Sequence, residues 1–402
     1  MKVVEINSVP YGSTGNIARK ITDILKNNSN SSFFFYSWTK VKKYNTKSDE
    51  KIIGTFFEKL LSIMLERLTG YAGHFSIIGT YKLVKELKKI KPDIVHIHNL
   101  HEGYLNYKLF FKYLKNNNIS VVWTLHDCWS FTGHCPHFEL SNCNKWINGC
   151  ENCPIYKEYP KSLFDNSKKM YKYKKKWFTY LDSDKMTIVT PSKWLSNYVK
   201  KSYLNKYNIK VINNGIDLDS FKPIENNFRE KYKIEDKIIL LGVAMDWGTR
   251  KGLDVFIKLA NDLPDKYKIV LVGTNEQIDK ILPSNIISIH KTHSKKELVK
   301  IYSSSDIFIN PTREENFPTV NIEALACGTP VITYNTGGSP EIIDDKCGIV
   351  IEKDDYNSLL KTIISFDNKN KYKSHCLERS KLYDAQDKFD SYRILFENIN
   401  NK

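Results

Sequence analysis

Short apolar strands alternate with helical periodicities along almost the whole chain, and this alternation constrains the fold more than any other feature. A first series of β-branched-rich runs extends from residue 2 to residue 190, and a second series extends from residue 237 to residue 334. Apolar residues at helical spacing separate the runs, as at 16–26, 105–115, 253–263 and 295–303. Apolar strands joined by helices form parallel sheets that are covered on both faces. The sequence therefore predicts an α/β protein with two doubly wound domains.

The boundary between these domains is predicted near residues 213–223. Asn214-Gly215 and Pro223 are turn signals, and the next strand begins only at Lys237. We therefore expect a first domain over residues 1–220 and a second over residues 221–382. Residues 383–402 have apolar side chains on one helical face and are predicted to form a terminal helix.

The cellular compartment and the cysteines are interpreted together. No stretch reaches the roughly 18 apolar residues of a membrane span, and Glu5 interrupts the first apolar run. We therefore expect a cytoplasmic protein, in which clustered cysteines indicate metal ligands or buried thiols rather than disulfides. Cys135, Cys143, Cys150 and Cys153 lie in a segment rich in turn residues, and the last two have the tight spacing of zinc ligands. A structural zinc site and a set of scattered buried thiols both remain open.

The most informative segment is residues 313–332. A strand at 307–310 runs into a loop containing Glu314 and Glu315, and a helix opens near Thr319, with Glu323 one turn further along. A helix N-terminus at the edge of a doubly wound sheet presents N–H groups and a positive dipole end to a phosphate. The alternative is an acidic first turn that only complements the helix dipole.

Glu315 and Glu323 are separated by seven residues, and this segment resembles the Glu, seven residues, Glu motif of glycosyltransferase family 4. Members of that family are retaining sugar transferases with the two-domain GT-B fold. Further segments match the family in the same order, and together they cover nearly the whole chain: Gly12-Ser-Thr-Gly15, Trp123-Thr-Leu-His-Asp127, Asn214-Gly-Ile-Asp217, Arg250-Lys-Gly252 and Gly337-Gly-Ser-Pro-Glu341. The resemblance implies two Rossmann-like domains facing across a cleft, with the terminal helix crossing back to the first domain.

The resemblance also implies a donor-binding site in the second domain. Its residues would be Arg250, Lys251, Asn316, Phe317, Thr319, Val320 and Glu323, and Gly15 of the first domain would also contact the donor. Glu323 would accept hydrogen bonds from the donor ribose, and Glu315 would be a catalytic residue beside the donor sugar. The cations and the N–H groups at the helix start would stabilise charge on the leaving diphosphate. The alternative for Arg250 and Lys251 is a solvated basic pair on a loop.

Pro318 departs from the family pattern, in which this position is often glycine. Proline has no N–H group, but it is acceptable in the first turn of a helix. The phosphate would then depend on the N–H groups of Phe317, Thr319 and Val320.

The resemblance assigns His126, at the end of a first-domain strand, to contact with the transferred sugar as a catalytic residue. A lone histidine at a strand end is more often structural. Asp127 is predicted to orient the ring of His126 or the loop. His96, His98 and His101 could bind a metal, but a strand end feeding a cleft explains them better. No catalytic metal is expected.

We therefore interpret the chain as a retaining glycosyltransferase that uses a nucleotide sugar, preferably a UDP-sugar. It is similar to bacterial enzymes that build exopolysaccharide, capsule or O-antigen, so the expected acceptor is a saccharide on a polyprenyl diphosphate. A sugar-nucleotide epimerase or hydrolase of the same fold is the first alternative. A basic nucleic-acid-binding protein is the second, but that class has no use for paired glutamates, and no nucleic-acid partner is expected.

The net charge of +16 is concentrated in one part of the chain. Residues 1–220 hold 34 Lys+Arg against 18 Asp+Glu, and residues 157–210 hold 14 Lys against four acids, interleaved with aromatic residues. A Lys-rich genome would spread its excess more evenly. We therefore expect the first domain to dock on an anionic membrane, at the inner face of the cell membrane. A helix at 55–68 is interpreted as core-facing rather than as a membrane-surface helix.

Overall fold

The computed structural model describes residues 1–39, 48–366 and 368–401. It separates into two compact units. The first unit comprises Met1–Asn213 together with Lys388–Lys402, and the second comprises Asn214–Asp387. The division thus falls slightly before residue 220, at the Asn-Gly turn that the sequence indicated.

Within the described residues, the first unit contains a parallel sheet of seven strands in the order β3-β2-β1-β4-β5-β6-β7. Its buried strands are apolar on both faces, as expected for a sheet between two helical layers. The strands are β1 (Lys2–Asn7), β2 (Ser31–Ser37), β3 (Glu50–Ile53), β4 (Ile94–Ile97), β5 (Ser120–Thr124), β6 (Met186–Thr190) and β7 (Asn208–Val211). The helices are α1 (Gly12–Asn27), α2 (Phe56–Thr69), α3 (Ile77–Ile90), α4 (Tyr107–Asn116), α5 (Ser167–Phe178) and α6 (Lys193–Lys201).

The second unit repeats this plan with six described parallel strands in the order β10-β9-β8-β11-β12-β13. The strands are β8 (Ile238–Val243), β9 (Tyr267–Val272), β10 (Ile286–Ile289), β11 (Ile307–Asn310), β12 (Val331–Tyr334) and β13 (Gly348–Ile351). The helices are α7 (Phe228–Tyr232), α8 (Leu253–Asp262), α9 (Glu276–Asp279), α10 (Lys295–Ser304), α11 (Thr319–Ala326), α12 (Ser339–Ile342), α13 (Tyr356–Ile364) and α14 (Asn370–Lys381).

The last helix, α15 (Ala385–Asn400), returns to the first unit. Its Tyr392 and Phe396 are buried, and both rings lie 5.2 Å from the ring of His96 on β4. The Tyr392 hydroxyl accepts a hydrogen bond from Thr124 at the end of β5 (3.1 Å). The helix therefore covers part of the sheet that carries the histidines.

Each sheet has one position where the strand order reverses, between β1 and β4 in the first unit and between β8 and β11 in the second. Ligands of doubly wound proteins bind outside the carboxyl ends of the strands at such a switch point. The loops that follow these four strands are therefore where a site is expected in each unit.

The predicted fold class is confirmed, since both units are doubly wound parallel sheets. Three strands were not predicted from the sequence, β3, β7 and β13, and each lies at a sheet edge. Edge strands bury less of their surface, so their apolar signal is weaker. The helix predicted from residue 16 begins earlier, at Gly12. Gly12 and Gly15 thus lie in the first turn of α1 rather than in the loop before it.

Two expectations about the surface of the first unit are wrong. Helix α2 does not face the core: it buries only Ser62, whereas Phe57 is 78% exposed. The aromatic residues that α5 contributes to the basic segment at 157–210 do not face solvent as a group, because Tyr171, Trp177 and Phe178 are buried in the core. Burial of its apolar face accounts for how α5 packs, and its lysines lie mostly on the opposite side.

No helix among the described residues is both long and apolar enough to cross a membrane.

Candidate active site

In the second unit, the loop after β8 is fixed to the loop after β11. It ends in a short turn, Thr249–Lys251, followed by Gly252 at φ +74°. A Cβ atom at Gly252 would lie 2.6 Å from the carbonyl oxygen of Pro311, so only glycine fits this approach. The N–H group of Arg313 donates to the carbonyl oxygen of Arg250 (2.9 Å). The two loops therefore form one rigid element at the switch point.

Arg313 stabilises this junction through its side chain, a role that sequence reasoning missed. Its guanidinium donates to both carboxylate oxygens of Asp254 (2.8 and 2.7 Å), to Asp354 (2.6 Å) and to the carbonyl oxygen of Thr249 (2.6 Å). Such forked contacts fix orientation as well as charge. The available signal was the position of Arg313, which opens the motif directly after a strand.

The two residues predicted to act on the donor's reacting end are in direct contact. Nζ of Lys251 lies 2.6 Å from Oε2 of Glu315, and both side chains are about four-fifths buried. The other carboxylate oxygen of Glu315 accepts the N–H of Asn316 (3.0 Å). Arg250 Nη1 contacts the carbonyl oxygen of Glu314 more loosely, at 3.4 Å. The structure thus brings Arg250, Lys251 and Glu315 together.

A glycine turn supports the Glu315 loop from behind. Gly337 has φ +58°, and a Cβ atom there would lie 1.8 Å from the carbonyl oxygen of Glu315. The next residue, Gly338, donates its N–H to the carbonyl oxygen of Asn316 (2.8 Å). Gly337 is therefore needed because this turn lies directly against the backbone that carries Glu315.

Glu323 lies in α11 and accepts a hydrogen bond from the Tyr302 hydroxyl at Oε2 (3.1 Å). Burial raises the pKa of Glu323 to about 7, and the Tyr302 hydrogen bond opposes that rise. Part of the side chain remains accessible to solvent. It is therefore a carboxyl group that changes charge near neutral pH within reach of a ligand.

The N-terminus of α11 begins after Pro318, and no side chain of the described residues caps it. The first N–H groups of a helix have no intrahelical partner, so those of Thr319 and Val320 are positioned for an anion. Asn316 and Phe317 have buried side chains, and the Phe317 ring packs 5.8 Å from that of Tyr383. The Phe317 side chain is thus fixed in the core, and the predicted contact of its N–H group with phosphate stays a prediction.

In the first unit, His126 follows β5 and belongs to a buried chain of hydrogen bonds. Its Nε2 lies 3.0 Å from Nδ1 of His98, and Nε2 of His98 lies 3.0 Å from Oε2 of Glu5. His96 lies beside the same carboxylate oxygen, with its Nδ1 2.7 Å away. Glu5, His96 and His98 are fully buried. Strand alternation on β4 places the two histidines on one face beside β1, and sequence reasoning did not connect Glu5 with them.

Burial sets the charge of the residues in this hydrogen-bond chain. It lowers the pKa of His98 to about 3 and that of His126 to about 4, and it raises the pKa of Glu5 to about 7. The imidazoles are therefore neutral at neutral pH. Glu5, His96 and His98 each place one ligating atom within 4.8 Å of the others. Because both ring nitrogens of His98 are already hydrogen-bonded, we interpret the group as a hydrogen-bond chain.

Of the two roles predicted for Asp127, orienting the ring of His126 or orienting the loop, its contacts support the second. Its Oδ2 lies 3.4 Å from Nε2 of His101, and its Oδ1 accepts the N–H of Trp129 (2.8 Å). Burial opposes a charged His101, but Asp127 outweighs it and the pKa of His101 is raised. Asp127 therefore fixes the loop after β5, while His98 positions His126.

Close backbone packing requires a glycine at position 15, independently of any ligand. A Cβ atom there would lie 2.6 Å from the backbone of Val9 and Pro10. Asn7 holds the same loop through hydrogen bonds to the carbonyl oxygen of Val9 (2.9 Å) and the hydroxyl of Thr14 (3.1 Å). The predicted contact of Gly15 with the donor stays a prediction.

The clustered cysteines lie near one another but do not form a compact ligand set. Cys150 Sγ accepts the N–H of Gly133 (3.1 Å), and a hydrogen bond with the Cys135 thiol lowers the pKa of Cys153. All four are free thiols. Among the residues that the structure describes, no three cysteine sulfurs lie within 4.8 Å of one another. A structural zinc at Cys135, Cys143, Cys150 and Cys153 stays a prediction for metal analysis.

Comparison with known proteins decides the family. A model described as glycosyltransferase family 4 matches residues 63–220, and a model described as glycosyl transferases group 1 matches residues 224–382. The chain belongs to glycosyltransferase family 4. The two matches span most of both units, and the site loops after β8 and β11 lie within the second.

Curated relatives of this family 4 glycosyltransferase are distant in sequence. A protein of Escherichia coli K12 named as a colanic acid biosynthesis glycosyl transferase, WcaC, is 25% identical over 67% of this chain and 66% of its own length. The O-antigen biosynthesis glycosyltransferase WclY of Escherichia coli is 29% identical over 55% of this chain and 62% of its own length. The match thus spans slightly less than two thirds of these relatives.

Solved structures agree over the whole length of the chain. Sucrose-phosphate synthase from Thermosynechococcus elongatus has a TM-score of 0.70 at 15% identity, covering 99% of this chain and 98% of that one. Anabaena HepE in complex with UDP has a TM-score of 0.65 at 13% identity, covering 99% and 100%. At such identities the likeness concerns the fold, which is GT-B.

Proposed function

We propose that this family 4 glycosyltransferase transfers a sugar from a nucleotide sugar, a UDP-sugar by preference, to a saccharide acceptor with retention of anomeric configuration. The second unit would bind the donor and the first unit the acceptor. The observation that carries the proposal is the Lys251–Glu315 ion pair beside the uncapped N-terminus of α11, at the switch point of the second sheet. UDP in the complex of Anabaena HepE, which has the same fold, supports the choice of donor.

The proposed reaction breaks the bond between the donor's anomeric carbon and the diphosphate oxygen, and the electron pair remains on the diphosphate. Lys251, Arg250 and the N–H groups of Thr319 and Val320 would stabilise the charge that develops there. The acceptor hydroxyl would attack from the same face and pass its proton to the departing diphosphate oxygen. Glu315 would hold donor hydroxyls and stabilise positive charge at the anomeric carbon.

Lys251 would hold two partners during this reaction. Without donor its charge is compensated by Glu315 at 2.6 Å. A diphosphate near Nζ would bind the same ammonium group, which has three hydrogen-bond donors. Both anions can therefore be held at once, with Glu315 directed towards the sugar.

In the first unit, the buried hydrogen-bond chain of Glu5, His98 and His126 would determine which tautomer of His126 faces the sugar. An ionised Glu5 accepts the Nε2 proton of His98, which makes Nδ1 of His98 an acceptor for the Nε2–H of His126. In that tautomer Nδ1 of His126 would carry the lone pair of the neutral ring and would act as a hydrogen-bond acceptor. A proton on Glu5 would reverse both tautomers, so Glu5 would position His126 through His98.

The cellular role we propose is synthesis of a cell-surface polysaccharide on a lipid diphosphate. The names of the relatives, which refer to colanic acid and O-antigen biosynthesis, support this role. A transferase of this kind meets its acceptor at the cytoplasmic face of the membrane.

The test is turnover of purified protein with a panel of nucleotide sugars, with and without membrane-extracted acceptor. We expect release of nucleoside diphosphate that depends on acceptor and is lost in Lys251→Ala. A product formed from the donor alone, at the same rate without acceptor, would instead support an epimerase or hydrolase of the same fold.

A further inference from the structure

Helix α2 of the first unit has an apolar face whose large side chains are exposed to solvent. Phe57, Leu60, Leu61, Met64 and Leu68 recur at helical spacing on one side, and each is at least 42% exposed. A helix of this kind normally directs such a stripe towards a core. Here the side that meets the protein is marked by the buried Ser62, which is hydrogen-bonded to Ser76.

Two neighbouring segments extend this face. Gly79 in the first turn of α3 donates its N–H to Glu58 of α2 (2.8 Å), and Leu163 donates its N–H to the carbonyl oxygen of Arg67 (2.8 Å). These segments add five exposed apolar side chains: Ile77, Ile78, Tyr81, Leu163 and Phe164. Together, the three segments hold ten of the 22 large apolar side chains that are exposed in the described chain. We call this set the α2 face. A concentration of this kind marks an interaction surface.

The charges around the α2 face have one sign. Residues 55–91 contain seven Lys+Arg and three Glu. Each glutamate is engaged within the protein: Glu58 by Gly79, Glu66 by the N–H of Gly73 (2.9 Å), and Glu86 by Lys51 and Lys89. The rim presented to solvent is therefore cationic. An apolar face with a cationic rim matches a bilayer that contains anionic lipids.

A cavity of about 320 Å³ lies on the opposite side of α2. Its walls include Lys59 and Arg67 of the helix, Lys161, and Trp129 next to the loop of Asp127. Docking through the α2 face would therefore bring an open cavity of the first unit, whose lining also includes Glu66 and Glu102, to the level of the lipid headgroups.

We propose that the α2 face docks on the surface of an anionic lipid bilayer. This inference deepens the proposed function, because it names the surface by which the enzyme reaches a lipid-linked acceptor. It also relocates the membrane contact that the charge pattern predicted. The α5 aromatic residues Tyr171, Trp177 and Phe178 of the 157–210 segment are in the core, whereas the exposed apolar side chains of the α2 face belong to α2, α3 and residues 163–164.

The test is co-sedimentation of the full chain with vesicles. We expect binding to phosphatidylglycerol-containing vesicles and much weaker binding to pure phosphatidylcholine vesicles. Substituting Leu60→Ser, Leu61→Ser and Met64→Ser together should weaken the binding by at least about tenfold, since each side chain loses its apolar burial in the lipid. The matched control is Ile364→Ser with Leu382→Ser, at two similarly exposed positions of the second unit, and should change binding less than about twofold.

Three results would overturn the proposal. One is equal binding of the triple variant and the unchanged chain, and another is no preference for anionic vesicles. The third is a soluble dimer of the unchanged chain that the triple substitution converts to a monomer, since the α2 face would then join two copies. Thermal stabilisation by UDP, measured on the same variants, separates failure of membrane docking from failure of the proposed function. A protein that binds vesicles but no nucleotide would refute only the proposed transferase function.

Discussion

Replacing Glu5 by Gln should stabilise the protein at alkaline pH while impairing the site. Glu5 is fully buried, and its carboxylate lies between His96 and His98 with one oxygen that has no hydrogen-bond partner in the described residues. Burial raises its pKa from 4.5 to about 7, against the effect of the His98 hydrogen bond. Because the folded-state pKa lies above the unfolded value, ionisation of Glu5 lowers stability as pH rises from about 4.5 through about 7.

The magnitude follows from the shift. A difference of about 2.5 pH units, at about 1.36 kcal/mol per unit, makes the ionised Glu5 unfavourable by about 3 kcal/mol at pH 8. At pH 5 the destabilisation caused by Glu5 falls to about 1 kcal/mol, because the Glu5 carboxyl then stays protonated in the folded protein. Glu5→Gln has the size of the neutral acid and removes this titration. It should therefore be more stable than the unchanged chain by about 3 kcal/mol at pH 8 and by about 1 kcal/mol at pH 5.

The assay is urea denaturation at both pH values, followed by donor turnover. The control is Glu86→Gln, because hydrogen bonds from Lys51 and Lys89 lower the pKa of Glu86 to about 2. That variant should lose stability at pH 8, a change of the opposite sign. If Glu5→Gln destabilises the protein equally at both pH values, the reasoning about a desolvated carboxyl is refuted. Full turnover in a stabilised Glu5→Gln variant would refute its positioning role.

The remaining predictions concern the second unit and the cysteines. Lys251→Ala should weaken UDP binding by about 10- to 100-fold, since a charge-assisted contact is lost. Glu315→Gln should instead leave UDP affinity within about threefold and lower kcat by about 10²- to 10³-fold. Equal effects of both variants on UDP affinity would contradict the separate roles of the two residues. UDP affinity should rise as pH increases through about 7, because ionised Glu323 accepts ribose hydroxyls, and Glu323→Gln should remove that dependence in titrations across this range. Metal analysis decides between the two interpretations of the cysteines: about one zinc per chain, lowered by Cys153→Ser, would support the zinc site, and a content under about 0.2 would eliminate it.

Much of the fold was predictable because buried parallel strands carry a strong local signal. Runs such as Ile238–Val243 and Ile307–Asn310 are apolar on both faces and need no knowledge of their neighbours. The family resemblance assigned Lys251 and Glu315, 64 residues apart, to one donor site, and the topology agrees because both loops follow carboxyl ends of neighbouring strands. Their 2.6 Å ion pair required the structure.

Other features depended on packing that a single sequence does not encode. The apolar spacing of α2 is the same whether the helix faces a core or a membrane, and α5 shows lysines and aromatics whose orientation only the packed domain decides. The chain from Glu5 to His126 joins three strands through contacts 93 and 28 residues apart. Asp127 was adjacent to His126 in sequence, but the turn after β5 directs it to His101.

The most direct test of the central claim is calorimetric titration of the protein with nucleoside diphosphates, beginning with UDP. The account predicts one binding site per chain for one of these nucleotides, with affinity that falls at least about tenfold in Lys251→Ala. Absence of binding to every nucleoside diphosphate, or equal affinity in the variant, would contradict a donor site at the switch point of the second sheet.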